Sequence, residues 1–165
     1  MELIDILTPD RCFCKIQGVS KKRVLKTLST TLGKSFRNLD ETQVFDSVMA
    51  REQLGSTGIG NGIAIPHCRV PNCDEIIGSL ITLEGFVDYD SVDGKPVDLI
   101  FVLIVPEEKK EDHIRTLSVI AERFNNVNFC DTLRRAQNSL ELYKNAIAFN
   151  ESHNETEVES SHSQI

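Results

Sequence analysis

The chain has 165 residues, 40% of them hydrophobic, 26% charged and 6% aromatic, with no tryptophan. That is about one globular domain's worth, enough to bury a core, and it excludes disulfide miniproteins, collagen and wholesale disorder. Net charge is −7, but residues 151–165 hold four Glu and no Lys or Arg, so residues 1–150 carry only −3 and lack the basic field that sequence-independent nucleic-acid binding requires.

Met1-Glu2-Leu3-Ile4-Asp5 opens the chain with acids, where a secretory leader would carry positive charge before a long apolar stretch; with an odd count of five cysteines (12, 14, 68, 73, 130), this reads as a reduced, cytoplasmic protein. Arg11 to Gln17 alternates with period 2 and predicts a first strand with Cys12, Cys14 and Ile16 on one side and Phe13 opposite. Ser20 is placed as an N-cap. Val24, Leu25, Leu28 and Leu32 then follow at helical spacing to a stop at Gly33. Asp40-Glu41-Thr42-Gln43 is a capping-box variant before a second helix, whose buried stripe is Val44, Phe45, Val48 and Met49 and which runs into Arg51.

Four of the nine glycines fall between Gly55 and Gly62, so regular structure is expected to yield there to a loop. Ile63-Ala64-Ile65 is a short extended piece ending at Pro66-His67. Ile76–Leu83 and Val97–Val105 have strand length and predict neighbours in a central sheet, the second covered on both faces. Its core, Leu99 to Val105, is far shorter than the roughly 20 residues of a membrane span, so no membrane insertion is expected. Beyond Pro106, the spacing of Ile114, Leu117, Ala121 and Phe124 predicts a helix with that stripe in the core. Two shorter helices follow, around Leu133–Ala136 and Leu140–Phe149, so helices flank the sheet. Residues 1–150 form the domain; residues 151–165, with Val158 and Ile165 as their only large apolar groups, are expected to be a disordered acidic tail.

Chemistry concentrates in Arg51 to His67. Glycines allow backbone amides to turn inward as an anion-binding nest, although the same glycines also suit consecutive tight turns. Neither nucleotide loop fits: Gly-Lys-Ser/Thr is absent, and Ile63 stands where the dinucleotide pattern needs glycine. Pro66 fixes its own φ and pushes Ile65 toward extended geometry. Period 2 then puts His67 on the face of Ile63 and Ile65. A neutral imidazole there has a free lone pair able to attack phosphorus. Arg51, the amides of Gly58, Gly60 and Gly62, and the hydroxyls of Ser56 and Thr57 are candidates to hold the transferred group's oxygens. His113, near a helix start where the dipole disfavours its cation, is a candidate to orient His67 or touch the phosphate.

The stretch Gly-Ser-Thr-Gly-Ile-Gly-Asn-Gly-Ile-Ala-Ile-Pro-His resembles the phosphorylation-site signature of type-2 enzyme IIA proteins of the bacterial phosphotransferase system, above all its nitrogen-regulatory branch. The resemblance runs from about Leu3 to Phe149 and includes Ser20-Lys21-Lys22-Arg23, Pro96-Val97-Asp98-Leu99, and His113 before Thr116-Leu117-Ser118. It implies an α/β fold with three α/β/α layers on a mixed sheet, and His67 as phosphoryl acceptor, with Arg51 and His113 matching the family's arginine and second histidine. It also implies a small histidine phosphocarrier as donor. With no fused IIB domain, regulation by phosphorylation-dependent contacts is the expected outcome. Phosphate delivery to a separate IIB protein, or non-covalent anion sensing by the glycine loop, are the alternatives. The resemblance calls for no metal, nucleotide or other cofactor. Zinc on His67, Cys68 and Cys73 is disfavoured, because no Cys-x2-Cys pair exists and adjacent His-Cys ligands suit a tetrahedral site poorly. Cys68-Arg69 departs from the family pattern by putting a thiol beside the active histidine. Lys21, Lys22, Arg23 and Lys26 read most simply as a solvated helix face.

Overall fold

The computed structural model describes residues 1–108 and 110–149; the expectation of a disordered tail lies outside them. Two short 3-10 turns, Leu3–Asp5 and Pro9–Arg11, lead into strand β1 (Cys12–Ile16), then helices α1 (Lys21–Ser35) and α2 (Glu41–Gln53). Strands β2 (Gly58–Gly60), β3 (Ile63–Ala64), β4 (His67–Val70), β5 (Ile77–Val87) and β6 (Val97–Pro106) follow, then helices α3 (Lys110–Phe124), α4 (Val127–Arg135) and α5 (Ser139–Ala148). The strands form one mixed sheet ordered β1-β5-β6-β3-β2, with β4 also paired to β6. Strand β6 is antiparallel to β5 and parallel to β3 and β4.

Strand β6 divides the core. Leu99, Phe101, Leu103 and Val105 face one way, onto Ile120, Phe124, Phe129, Leu133 and Leu142 of α3, α4 and α5. Ile100, Val102 and Ile104 face the other, onto Val24, Leu25, Leu28, Val44 and Val48 of α1 and α2. This is the expected three-layer α/β/α arrangement, and each fully buried aliphatic side chain contributes about 1.5–3 kcal/mol. Among the described residues no helix is long and apolar enough to cross a membrane.

Several expectations are corrected in detail. Helix α1 begins as read, with the Ser20 hydroxyl accepting from the Arg23 amide at 3.1 Å, but it passes through Gly33 and ends at Ser35. Gly33 is a contact point: a Cβ there would lie 2.7 Å from the Glu41 backbone, so its absence lets the start of α2 pack against α1. In β1 the register slips between Phe13 and Ile16, where Lys15 has φ 53°. Ile16 therefore joins Phe13 on the α1/α2 side instead of Cys12 and Cys14. In α3, Ile114 is 67% exposed. The inward stripe is rotated by one position, to His113, Thr116, Ile120 and Phe124, with Leu117 and Ala121 at its flank. The rotation puts an imidazole where the apolar pattern placed an isoleucine.

Candidate functional site

Strands β3 and β4 are two pieces of one extended run beside β6. Ile63 pairs with Leu99, Ala64 with Ile100, His67 with Leu103 and Cys68 with Ile104, all in one register. Pro66 lacks an N–H but keeps the ladder by accepting from the Leu103 amide at 3.0 Å. His67 lies four positions after Ile63, so both face the α3 side, as the period-2 reading expects. Cys68 necessarily points the other way. It is buried among the α1/α2 core residues, and burial pushes its thiol pKa up to about 12, so it stays protonated beside the histidine.

The geometry defines the state of the His67 ring, which is 8% exposed. Its Nδ1 lies 2.9 Å from the Ile65 carbonyl oxygen, which can only accept, so Nδ1 carries the proton. That leaves a lone pair on Nε2, to which Arg51 Nε donates at 3.2 Å. Arg51, in the last turn of α2, also donates from Nη1 to the Gly55 carbonyl at 2.9 Å. The imidazole of His113 approaches from α3 with ring centroids 5.3 Å apart and planes at 64°. His113 Nδ1 is buried and has no partner among the described residues. Helices from opposite faces of the sheet therefore deliver Arg51 and His113 to one ring.

Burial and nearby charges favour the neutral form of both rings. Burial pushes the His67 pKa below its ordinary value, with the Arg51 charge acting in the same direction, against the Ile65 hydrogen bond and the Glu52 charge. His113 is lowered by burial and then by His67, Arg69 and Arg51. The direction is the one expected for His113, but burial and nearby cations cause it. The two rings open onto a cavity of about 880 Å³, whose rim carries Arg51, Leu54, Arg69 and Ile114.

The five loop residues proposed for phosphate do not line this cavity. Ser56 donates its hydroxyl to the Tyr89 carbonyl at 2.8 Å and accepts from the Gly58 amide at 3.1 Å. The Thr57 amide donates to Glu52 Oε2 at 3.1 Å, and its hydroxyl donates to Glu52 Oε1. Gly58 lies against Ser91. Gly60 and Gly62, at φ 100° and 81°, form the turn of the β2–β3 hairpin, where the Asn61 amide donates to Asp93 at 2.9 Å and Gly62 packs against Asp98 and Arg134. The loop amides that do meet carboxylates are those of Thr57 and Asn61, and the carboxylates are the chain's own, Glu52 and Asp93.

Sequence reasoning missed Glu52, Lys21 and Tyr89. Glu52 is 7% exposed. It pairs with Lys21 Nζ at 2.8 Å and accepts from the Tyr89 hydroxyl at 2.9 Å. Lys21 also lies 4.4 Å above the Tyr89 ring, so it is not simply part of a wet face. The available signal was the position of Glu52, next to Arg51 and five residues before a loop hydroxyl. Among the described residues no cluster of three or more His, Cys, Asp or Glu could hold a metal ion, and the cysteines are free.

A three-layer fold that holds a neutral, arginine-backed histidine at the edge of its sheet matches one class of protein. The sequence model of the phosphoenolpyruvate-dependent sugar phosphotransferase system, EIIA 2, matches residues 5–150, and the chain belongs to that family. Within it, the chain is similar to the nitrogen regulatory proteins. It is 43% identical to that of Pseudomonas aeruginosa over 144 residues, covering 87% of this chain and 94% of the relative. With the Escherichia coli protein of the same description it shares 37% over 145 residues, covering 87% and 88%. The crystal structure of nitrogen regulatory protein IIA-Ntr from Neisseria meningitidis superposes with a TM-score of 0.81 at 34% identity, covering 88% of this chain and 99% of that one.

Proposed function

We propose that His67 accepts a phosphoryl group on Nε2 from the phosphohistidine of a small carrier protein, and that the phosphorylation state then governs contacts with regulated partners. The observation that carries this reading is the fixed tautomer: the Ile65 carbonyl holds the Nδ1 proton and leaves the Nε2 lone pair beside Arg51. In the transfer, the Nε2 lone pair forms a new N–P bond while the donor's N–P bond breaks. That bond's electron pair returns to the donor nitrogen, and each ring retains its other N–H. Once Nε2 is phosphorylated it can no longer accept from Arg51, so the guanidinium N–H groups turn to the phosphoryl oxygens, where charge concentrates.

A protein donor is supported by the rim. Leu54 is 85% exposed and Ile114 67%, and both border the cavity that holds His67. Large apolar groups at the mouth of a charged site suit a partner surface better than a small hydrophilic substrate. The non-covalent anion-sensing alternative loses support, because the Ser56 and Thr57 hydroxyls and the Gly58 amide named for it are already paired with the Tyr89 carbonyl, Glu52 and Ser56. Regulation is favoured over delivery to a separate IIB protein by the similarity to nitrogen regulatory proteins over most of their length.

Incubation with a phosphorylated carrier is expected to give an acid-labile, base-stable adduct, seen by intact mass, on the wild type but not on His67→Ala. Equal labelling of the two proteins would overturn the assignment. Capture of partners with unphosphorylated and phosphorylated protein separates the two downstream roles. Recovery of permease subunits alone would favour transport.

A further inference from the structure

Arg51 reaches His67 with one end of its guanidinium, and something holds the other end. That something is the Gly55 carbonyl, 2.9 Å from Arg51 Nη1, and Gly55 lies just past the end of α2 in a turn with no strand to fix it. The turn is fixed by Glu52 instead. Both the amide and the hydroxyl of Thr57 bond to the Glu52 carboxylate, and the Gly55 amide bonds to the Glu52 carbonyl at 3.1 Å. The carboxylate is in turn held by Lys21 from the first turn of α1 and by the Tyr89 hydroxyl beyond β5. Four donors from three segments thus converge on one buried carboxylate. A group so desolvated is costly unless every partner is present, and the network it builds is correspondingly rigid.

We propose that Glu52 is the positioning residue of the site: its carboxylate, clamped by Lys21, Thr57 and Tyr89, sets the Gly55–Thr57 turn and so aims Arg51 Nε at His67 Nε2. Glu52 touches neither the ring nor the incoming phosphoryl group and acts through Arg51. The proposal rests on the reading of His67 as acceptor.

The test is a double-mutant cycle read by the rate of phosphate uptake from a phosphorylated carrier. Glu52→Gln keeps the side-chain shape but gives the cluster an amide where it needs an acceptor. It is expected to slow uptake about ten- to a hundredfold, the scale of a misaligned catalytic group, while slowing an Arg51→Ala protein no further. An equal slowing in both backgrounds, or none in the wild type, would overturn the proposal, because a role in general stability would act in both. Should Glu52→Gln fail to fold, Tyr89→Phe keeps the ring beneath Lys21 and removes a single donor. A smaller slowing, again absent with Arg51→Ala, is then expected, and the same slowing in both backgrounds counts against the proposal. The His67 Nε2 nitrogen resonance of the unphosphorylated protein senses the Arg51 hydrogen bond without any transfer. It should move in Glu52→Gln toward its position in Arg51→Ala, and an unmoved resonance sinks the positioning role. If the wild type takes up no phosphate, the functional reading fails, while this resonance still decides the role of Glu52.

Discussion

Between Arg51 and Thr57 polar groups converge on a buried carboxylate and a buried imidazole, whereas from Gly58 to Gly62 the same run of small residues makes a hairpin turn tied to Asp93, Asp98 and Arg134. Arg134 donates to both oxygens of Asp98 at 3.1 Å and to the Asn61 carbonyl at 2.9 Å. Backbone hydrogen bonds from Asn61 and Lys95 hold the Asp93 carboxyl below its usual range. Both ends contain an arginine, a carboxylate and a glycine at a tight turn. Only the first places its arginine against a group that can react. The hairpin shapes the chain that leads into His67; the α2 end supplies the chemistry.

The largest effect that sharpens this contrast is His67→Ala, for which phosphate incorporation is expected to vanish from the mass spectrum with the fold retained by circular dichroism. Arg51→Ala should follow, with uptake slowed by about 10²–10³-fold, the usual scale for one lost electrostatic donor. Arg134→Ala, at the other end, should leave the uptake rate at the wild-type value and instead lower stability in urea by about 1–3 kcal/mol, since it leaves Asp98 and the Asn61 carbonyl without their donor. A large rate loss with Arg134→Ala would break the comparison.

A pH series comes next. The folded His67 pKa lies below its ordinary value of 6.5, so above pH 6.5 the ring is neutral in both folded and unfolded chains. Below it the unfolded chain takes up a proton that the folded chain resists, and stability falls as pH decreases. The fall should be shallower in His67→Gln, measured by urea unfolding at several pH values. Uptake of phosphate should meanwhile fall off at a lower pH than it would for a histidine of ordinary pKa, because the Nε2 lone pair resists protonation. The smallest expected effect is at the rim: Ile114→Ser should raise the apparent KM for the carrier several-fold while leaving the melting temperature unchanged, as befits an exposed side chain.

Much of the fold was legible because its signals are local. Strand β6 announces itself as a continuous apolar run, Ser20 and Asp40 cap their helices as read, and Pro66 sets the approach to His67. Features that depend on a distant partner were not legible. Gly33 looked like a helix end because its reason, the backbone of Glu41, belongs to another helix. Ile114 fitted the apolar spacing of α3, and only the packed sheet shows that His113 occupies the inward position. Around the site, Arg51, His67 and His113 could be singled out by residue type. Glu52 could not, because a lone acid near a helix end reads as solvated until Lys21, Thr57 and Tyr89 are seen around it. The glycines were read for what their amides can bind, whereas the loop amides that meet carboxylates are those of Thr57 and Asn61.

The common register in which Ile63–Ala64 and His67–Cys68 pair with β6 constrains how this segment can be re-engineered. Substituting Ile63, Ala64 or Ile65 alters packing by degrees, but adding or removing a single residue before the histidine inverts the parity of everything after it. The thiol of Cys68 would then occupy the reactive side, and the imidazole would be driven into the layer beneath α1 and α2. Libraries built on this scaffold should therefore vary spelling and never length between Gly62 and His67.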